Sequence, residues 1–334
     1  MPSVAATRAT VVGWPALNGP NVETPRSGAQ HLRAVLQALL VTFLWATSWV
    51  LIKIGLDDLD LAPLSFAGLR YALAAAILLP FGIRAMRSVR GAGTDRPPDR
   101  RLWGRVAVYG LLFVAVAQGA QFAALAVLPA TAVSLVLSSI PIAVALMALA
   151  VRAEPPTATQ VAGIALLTIG AVLYFGLFEV RPDAGIGFFA SAVCVVAAAV
   201  SSHLGRHLAR DAIGRLGGPV GLTAASMAIG AAVLLGVGVW VEGWPRLDAQ
   251  AWLIVAWLAI VNTAFAFTLW NHTLRTLTAV ESSVVNNTMT IQIAILAVIF
   301  LGERLAPLQV VGLVFAATGA AVVQLAPVLR RRRG

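Results

Sequence analysis

The sequence predicts an all-α integral membrane protein of ten transmembrane helices, arranged as two inverted five-helix repeats. Three observations predict it. The first is composition: 59% of the 334 residues are hydrophobic, 11% are charged, and the mean hydropathy is +0.87. A soluble domain carries roughly a quarter charged residues, so this chain cannot cover a water-facing surface and must use hydrocarbon as its main solvent. The second is internal repetition, which decides the fold before any local reading. Starting at Leu128, the same letters return 149 residues later without a gap over some forty positions: Leu128 as Leu277, Ala130 as Ala279, Glu154 as Glu303, Gln160 as Gln309, Gly163 as Gly312 and Gly170 as Gly319. The third is the placement of basic residues, which alternates from loop to loop.

In chain order, residues 1–32 are polar, carry scattered Pro, Gly, Thr and Asn, and lack the apolar core of a secretory signal. They read as a disordered cytoplasmic tail. Ten apolar stretches of about 20 residues follow, at 33–54, 64–86, 104–127, 131–151, 158–178, 185–205, 219–241, 251–273, 282–301 and 307–328. Connections are short except for 87–102, a flexible inner loop holding Gly91, Gly93, Pro97 and Pro98. The first five-helix repeat covers 33–178, the second 185–328, and residues 329–334 form a basic cytoplasmic tail.

With the N-terminus inside, the inner segments gather nearly all the arginines, from Arg84, Arg87, Arg100 and Arg101 to the tail run Arg330–Arg333. The outer loops hold only Arg181, Arg246 and Arg304, and carry Asp57, Asp58, Asp60, Glu179, Asp183, Glu242 and Asp248. This is the positive-inside pattern, and it puts both termini in the cytoplasm of a cell whose inner membrane holds the protein. Topology accounts for the net charge of +10, so nucleic-acid contact is not expected.

Five spans per half turn the second copy upside down relative to the first. The opening helices echo as well: Pro63, Ala72, Leu78 and Gly82 return 156 residues on as Pro219, Ala228, Leu234 and Gly238. Inverted repeats are a plan of secondary transporters, with the cargo site near the midplane between the halves.

The run L-W-A-T-S-W-V-L-I-K-I-G-L from Leu44 to Leu56, the run L-R-Y-A-L-A-A-A-I-L-L from Leu69 to Leu79, and the two copies with a Glu-centred turn followed by Q-x-x-G resemble the drug/metabolite transporter superfamily, EamA type. The resemblance covers about residues 33–328. It implies export of amino acids, aromatic ones included, or of related metabolites. A broad exporter of amphipathic drugs and a nucleotide-sugar-like carrier are the transport alternatives, and a membrane enzyme or scaffold is the alternative of another class. One departure stands out: the first copy reads Arg152-Ala153-Glu154 where the second reads Gly302-Glu303-Arg304, so the first turn is expected to pack differently.

Cargo contacts are sought among polar and aromatic residues within spans, since such groups are costly against lipid. Span 1 offers Trp45 and Ser48 on one face, and span 3 offers Gln118 and Gln121. Span 4 aligns Ser134, Ser138 and Pro141; the proline frees the carbonyl of residue 137 and invites a kink that suits a gate. Span 8 offers Asn262, Trp270 and Asn271, and span 9 offers Asn286, Asn287 and Thr290, whose amides suit a carboxylate or an amine. Packing between helices remains the competing role for each. Lys53, the sole lysine, and Arg70 are read as gating or scaffold residues, either snorkelling to the outer interface or, for one of the two, pairing with an outer-loop Asp in one transport state only. His203 and Glu281 at the inner side are candidates for proton coupling.

No phosphate-binding loop, zinc-type histidine cluster or midplane carboxylate pair occurs, so no catalytic residue, metal or cofactor is expected. The lone Cys194 reads as a buried small residue. The partners expected are a small-molecule cargo and membrane lipid, and the two-half plan is compatible with a monomer.

Overall fold

The structure is a computed structural model that describes residues 28–91, 98–150, 157–176, 184–213, 215–273, 276–277 and 279–333. Residues 1–27 of the expected tail, 92–97 of the long loop and the Arg152-Ala153-Glu154 turn lie outside the described residues. So do the side chains of His203 and Asn271.

Every described element is helical: α1 (Gly28–Asp57), α2 (Pro63–Gly91), α3 (Arg100–Gly110), α4 (Ala117–Val127), α5 (Ala130–Leu137), α6 (Ile140–Ala150), α7 (Ala158–Phe175), α8 (Ala184–Ile213), α9 (Gly218–Glu242), α10 (Ala249–Ala259), α11 (Ala266–Thr273), α12 (Ala279–Phe300) and α13 (Pro307–Arg333). Two π-helical stretches, Leu111–Val116 and Ile260–Phe265, join α3 to α4 and α10 to α11 into continuous rods. Among the described residues, eight helices are long and apolar enough to cross a membrane, and Ala130–Val144 and Val284–Phe300 are shorter apolar segments. Large apolar side chains such as Phe189, Leu253, Ile299 and Phe300 are more than half exposed on the outside of the bundle. Each such side chain would lose about 1.5–3 kcal/mol of burial energy in water, and hydrocarbon removes that loss.

The two halves interlock through their matching helices. α2 packs most extensively on α9, and α7 on α13. The repeated glycines explain the second crossing. A Cβ added at Gly170 would stand 2.5 Å from the Gly312 carbonyl oxygen, and one at Gly312 would stand 2.6 Å from that of Gly170. Gly163 and Gly319 make the same reciprocal approach, at 2.9 and 2.6 Å. Exchanging the halves maps these contacts onto themselves. The π-helical stretches obey the symmetry too, since Ile260–Phe265 lies 149 residues after Leu111–Val116.

The copies enter from opposite ends. Lys53, near the C-terminus of α1, donates to the Leu125 carbonyl at 2.9 Å, which sets the start of α5 beside that end. The start of α12, the counterpart of α5, lies at the N-terminus of α1, where Glu281 Oε1 is 3.3 Å from His31 Nε2. One end of the bundle is acidic. There, Asp58 and Asp60 share a depression with Arg246 and Asp248, and two carboxylates of the second half cap helices of the first. Glu242 accepts from the backbone N–H groups of Leu64 and Ser65 at 3.0 and 2.8 Å. Glu303 accepts from Ala130 N–H at 2.7 Å and from the Thr131 hydroxyl at 2.6 Å. Each supplies the acceptors and the negative charge that a helix N-terminus lacks. At the basic end, Asp99 caps α3 and meets Arg215 at 3.1 Å.

Span 4 breaks where Pro141 predicts. α5 ends at Leu137, whose carbonyl the proline cannot serve, and α6 begins at Ile140. The Ser138 and Ser139 hydroxyls donate to Leu135 and Val136 carbonyls at 2.6 Å each, so the break is lined with satisfied polar groups.

Candidate functional site

The polar interior concentrates along one seam of α1, from Thr42 to Ser48, where α10–α11 and α12 pack. The π-helical stretch of the α10–α11 rod widens the backbone and turns Asn262 towards α1. Its Nδ2 donates to the Leu44 carbonyl and, at 3.1 Å, to Thr47 Oγ1. Trp45 packs tilted against Phe267 and Trp270, with ring centroids 5.3 Å away in both cases. The Ser48 hydroxyl donates to the Trp45 carbonyl at 2.6 Å. From α12, Gln292 Nε2 reaches Thr42 Oγ1 at 3.4 Å and Thr288 Oγ1 at 3.1 Å. Three buried side-chain atoms here, Trp45 Nε1, Asn262 Oδ1 and Gln292 Oε1, have no hydrogen-bond partner among the described residues. Leaving such a group unpaired in an apolar interior costs about 1–3 kcal/mol.

A second cluster sits on α2. Arg70 is buried, its Nε donates to Thr263 Oγ1 at 3.2 Å, and its guanidinium carbon lies 5.1 Å from the Tyr71 ring centroid and 6.0 Å from that of Phe122. The Tyr71 hydroxyl donates to Gln118 Oε1 at 2.7 Å. Thr263 itself donates to the Leu258 carbonyl at 2.8 Å, five residues back, which is the spacing of the π-helical turn. Thr263 and two rings hold Arg70 inside the bundle, so it does not snorkel to the outer interface. Lys53 is the cation that pairs with an Asp, reaching Asp57 at 2.9 Å.

The remaining candidates are dispersed. On span 4, the Ser134 hydroxyl donates to the Thr131 carbonyl at 2.9 Å. On α12, Asn287 Oδ1 accepts from Gln324 Nε2 of α13 at 3.2 Å, while Asn286 and Thr290 are half-buried. Gln121 is half-buried on α4. Glu281 faces His31 at the basic end, far along α1 from the seam. Trp45, Ser48, Asn262 and Trp270 therefore gather at the seam, and Gln118 and Arg70 gather beside Tyr71.

Sequence reading missed Thr42, Thr47, Tyr71, Thr263, Glu242 and Glu303. The threonines carry no local signal, because a threonine inside a span ordinarily bonds its own helix. Glu242 and Glu303 read as loop acids, since the N-termini they cap lie more than 170 residues away in the chain. The one available signal was Tyr71, which directly follows the intramembrane Arg70.

The profile of the EamA-like transporter family matches residues 32–176 and again residues 185–325. A solved structure described only as "Crystal structure of protein" superposes with a TM-score of 0.60 at 21% identity, covering 89% of this chain and 98% of its own. At that identity the likeness concerns the fold alone. No curated protein matches the chain.

Proposed function

The chain belongs to the EamA-like transporter family, and on that premise we propose that it is a secondary transporter exporting amino acids or related small metabolites by alternating access. Ten spans cross a bacterial inner membrane with both termini in the cytoplasm. The halves rock about the α2–α9 and α7–α13 crossings, and the cargo binds between them. The observation that carries this reading is the α1 seam. Three unpaired polar atoms, Trp45 Nε1, Asn262 Oδ1 and Gln292 Oε1, lie beside an aromatic group of Trp45, Phe267 and Trp270. Apolar walls with a few unsatisfied polar groups are the make-up of a small-molecule site. A scaffold has no use for polar groups left costly in its interior.

Reconstitution in liposomes tests it. Efflux of labelled amino acids, followed with and without a pH gradient, is expected to saturate for at least one of them. No flux for any amino acid removes the amino-acid reading, and flux indifferent to the gradient removes proton coupling through Glu281. Asn287→Leu, which deletes the acceptor for Gln324, is expected to cut efflux several-fold while the purified variant keeps its elution profile. Wild-type flux in that variant would make the α12 amides structural glue.

A further inference from the structure

We propose that Arg70 is the receptor for a carboxylate on the cargo, so that the transported class is small organic acids, amino acids among them, whose amine is dispensable. The inference rests on the transport reading above and adds the chemistry of the site.

Arg70 is 4% exposed and lies within α2. An arginine offers five N–H donors. One, on Nε, is spent on Thr263 Oγ1. Among the described residues no hydrogen bond reaches the terminal N–H groups and no carboxylate pairs with this cation; these nitrogens are not among the fully buried unpaired atoms, so they keep some open surface that a ligand can reach. Every described Asp and Glu sits in or next to the first or last turn of a helix, away from the interior. The Tyr71 and Phe122 rings give the guanidinium a cation–π contact but satisfy none of those donors. A cation within a span that lacks a counter-charge is costly, and a ligand reaching its remaining donors lowers that cost.

The surroundings select the ligand. The planar fork of a guanidinium matches a carboxylate with two parallel hydrogen bonds. A phosphate dianion would call for a second cation, but the preceding one in the chain, Lys53, is committed to Asp57 and the Leu125 carbonyl, and the following one, Arg84, is exposed. A free ammonium finds no carboxylate here, only neutral acceptors such as Asn262 Oδ1, so an amine on the cargo adds less to recognition than the carboxylate does. The cluster is also pre-organised. Thr263 fixes Arg70 at Nε, and Gln118 fixes Tyr71 through its hydroxyl.

The fold's own symmetry points to the same place. The residue 156 positions after Arg70 is Ser226, and the residue 149 positions before Thr263 is Val114. The pseudo-equivalent location in the other half therefore carries neither the cation nor the hydroxyl that holds it. Structural demands repeat in both halves, as the glycine crossings do, whereas this pair occurs once.

The test uses the purified full chain in detergent and follows thermal unfolding with four probes: L-phenylalanine, 3-phenylpropanoate, L-phenylalaninamide and phenethylamine. The two acids are expected to raise the midpoint in a saturable way, and the amide and the amine are not. Arg70→Gln is expected to weaken acid binding about tenfold or more, Arg70→Lys less, and Thr263→Val several-fold by loosening the guanidinium. Amide binding equal to acid binding, acid binding unchanged in Arg70→Gln, or no binding of any probe would each overturn the assignment. If Arg70→Gln does not fold, the comparison of acid with amide on the wild type still decides. Liposome flux of the same probes separates the two claims: acids that bind without being carried uphold the Arg70 site and sink the transport reading, and flux indifferent to the carboxylate does the reverse.

Discussion

Asp99 shows how much a single exposed side chain does at the basic end. Its carboxylate accepts from the Leu102 backbone N–H at 2.8 Å and meets Arg215 3.1 Å away. Those contacts, the backbone hydrogen bond first and the Arg215 bond second, hold its pKa below the ordinary carboxylate value. A carboxyl whose folded pKa is depressed stabilises the fold above its unfolded pKa, and that contribution fades as pH falls through the folded value. Asp99→Asn keeps a capping oxygen at the start of α3 but removes the charge. Wild type is therefore expected to unfold at a higher temperature than Asp99→Asn near neutral pH, with the two midpoint curves converging on the acid side. The gap should narrow with salt, because the Asp99 side chain is 58% exposed and the pair is screened. A gap independent of pH would assign the effect to cap geometry instead. None of this was legible in the sequence beyond the acid's place before a helix, since Arg215 lies over a hundred residues downstream.

At the scale of elements, the helices were legible because the bilayer leaves so few choices: about 20 apolar residues in a row. The break in span 4 was legible too, because a proline acts on its own helix four residues back, and α5 ends at Leu137. The π-helical stretches were not, because widening a helix reflects packing by neighbours and leaves no local mark in L-L-F-V-A-V or I-V-N-T-A-F. The repeated glycines were visible as a pattern, but their reason is the α7–α13 crossing. Gly170→Ala would drive a Cβ to 2.5 Å from both the Gly312 carbonyl oxygen and Ala316 N. Backbone cannot retreat as a flexible side chain does, so a loss of about 1–3 kcal/mol is expected. Gly236→Ala is the control. It lies inside α9 and its Cβ would meet nothing within 4 Å, so higher helix propensity should raise stability by up to about 1 kcal/mol. Denaturant titration in mixed micelles compares the two variants, and equal effects would disprove the tight crossing.

The molecule as a whole is a symmetric frame with unlike contents, and that explains what the sequence could and could not disclose. Symmetry is written in matching letters, so the two halves appear in the sequence at once. The candidate sites proposed above lie where the letters differ: Arg70 against Ser226, Thr263 against Val114, and Asn262 against Phe113. Their meeting depends on which helices pack, and chain order does not reveal that. The same frame makes a statement about the membrane. Asp58 and Arg304 both belong to the acidic end, although Asp58 follows the first helix and Arg304 follows α12 of the second half; Glu303, beside Arg304, caps α5 there. Ser88 and Arg101 belong to the basic end, near the residues that carry Arg84, Arg87 and Arg100. On the orientation proposed above, the positive-inside rule predicts the acidic end on the non-cytoplasmic side. Single cysteines at 58, 88, 101 and 304, each exposed and each introduced into Cys194→Ser, which removes the buried native thiol, test frame and orientation together. A membrane-impermeant maleimide applied to intact cells should label positions 58 and 304 and spare 88 and 101, which react only after permeabilisation. The reverse pattern would keep the inverted repeat and turn it over in the membrane. Labelling that separated 58 from 304 would break the inversion itself, since the Glu303 cap on α5 requires both to share one side.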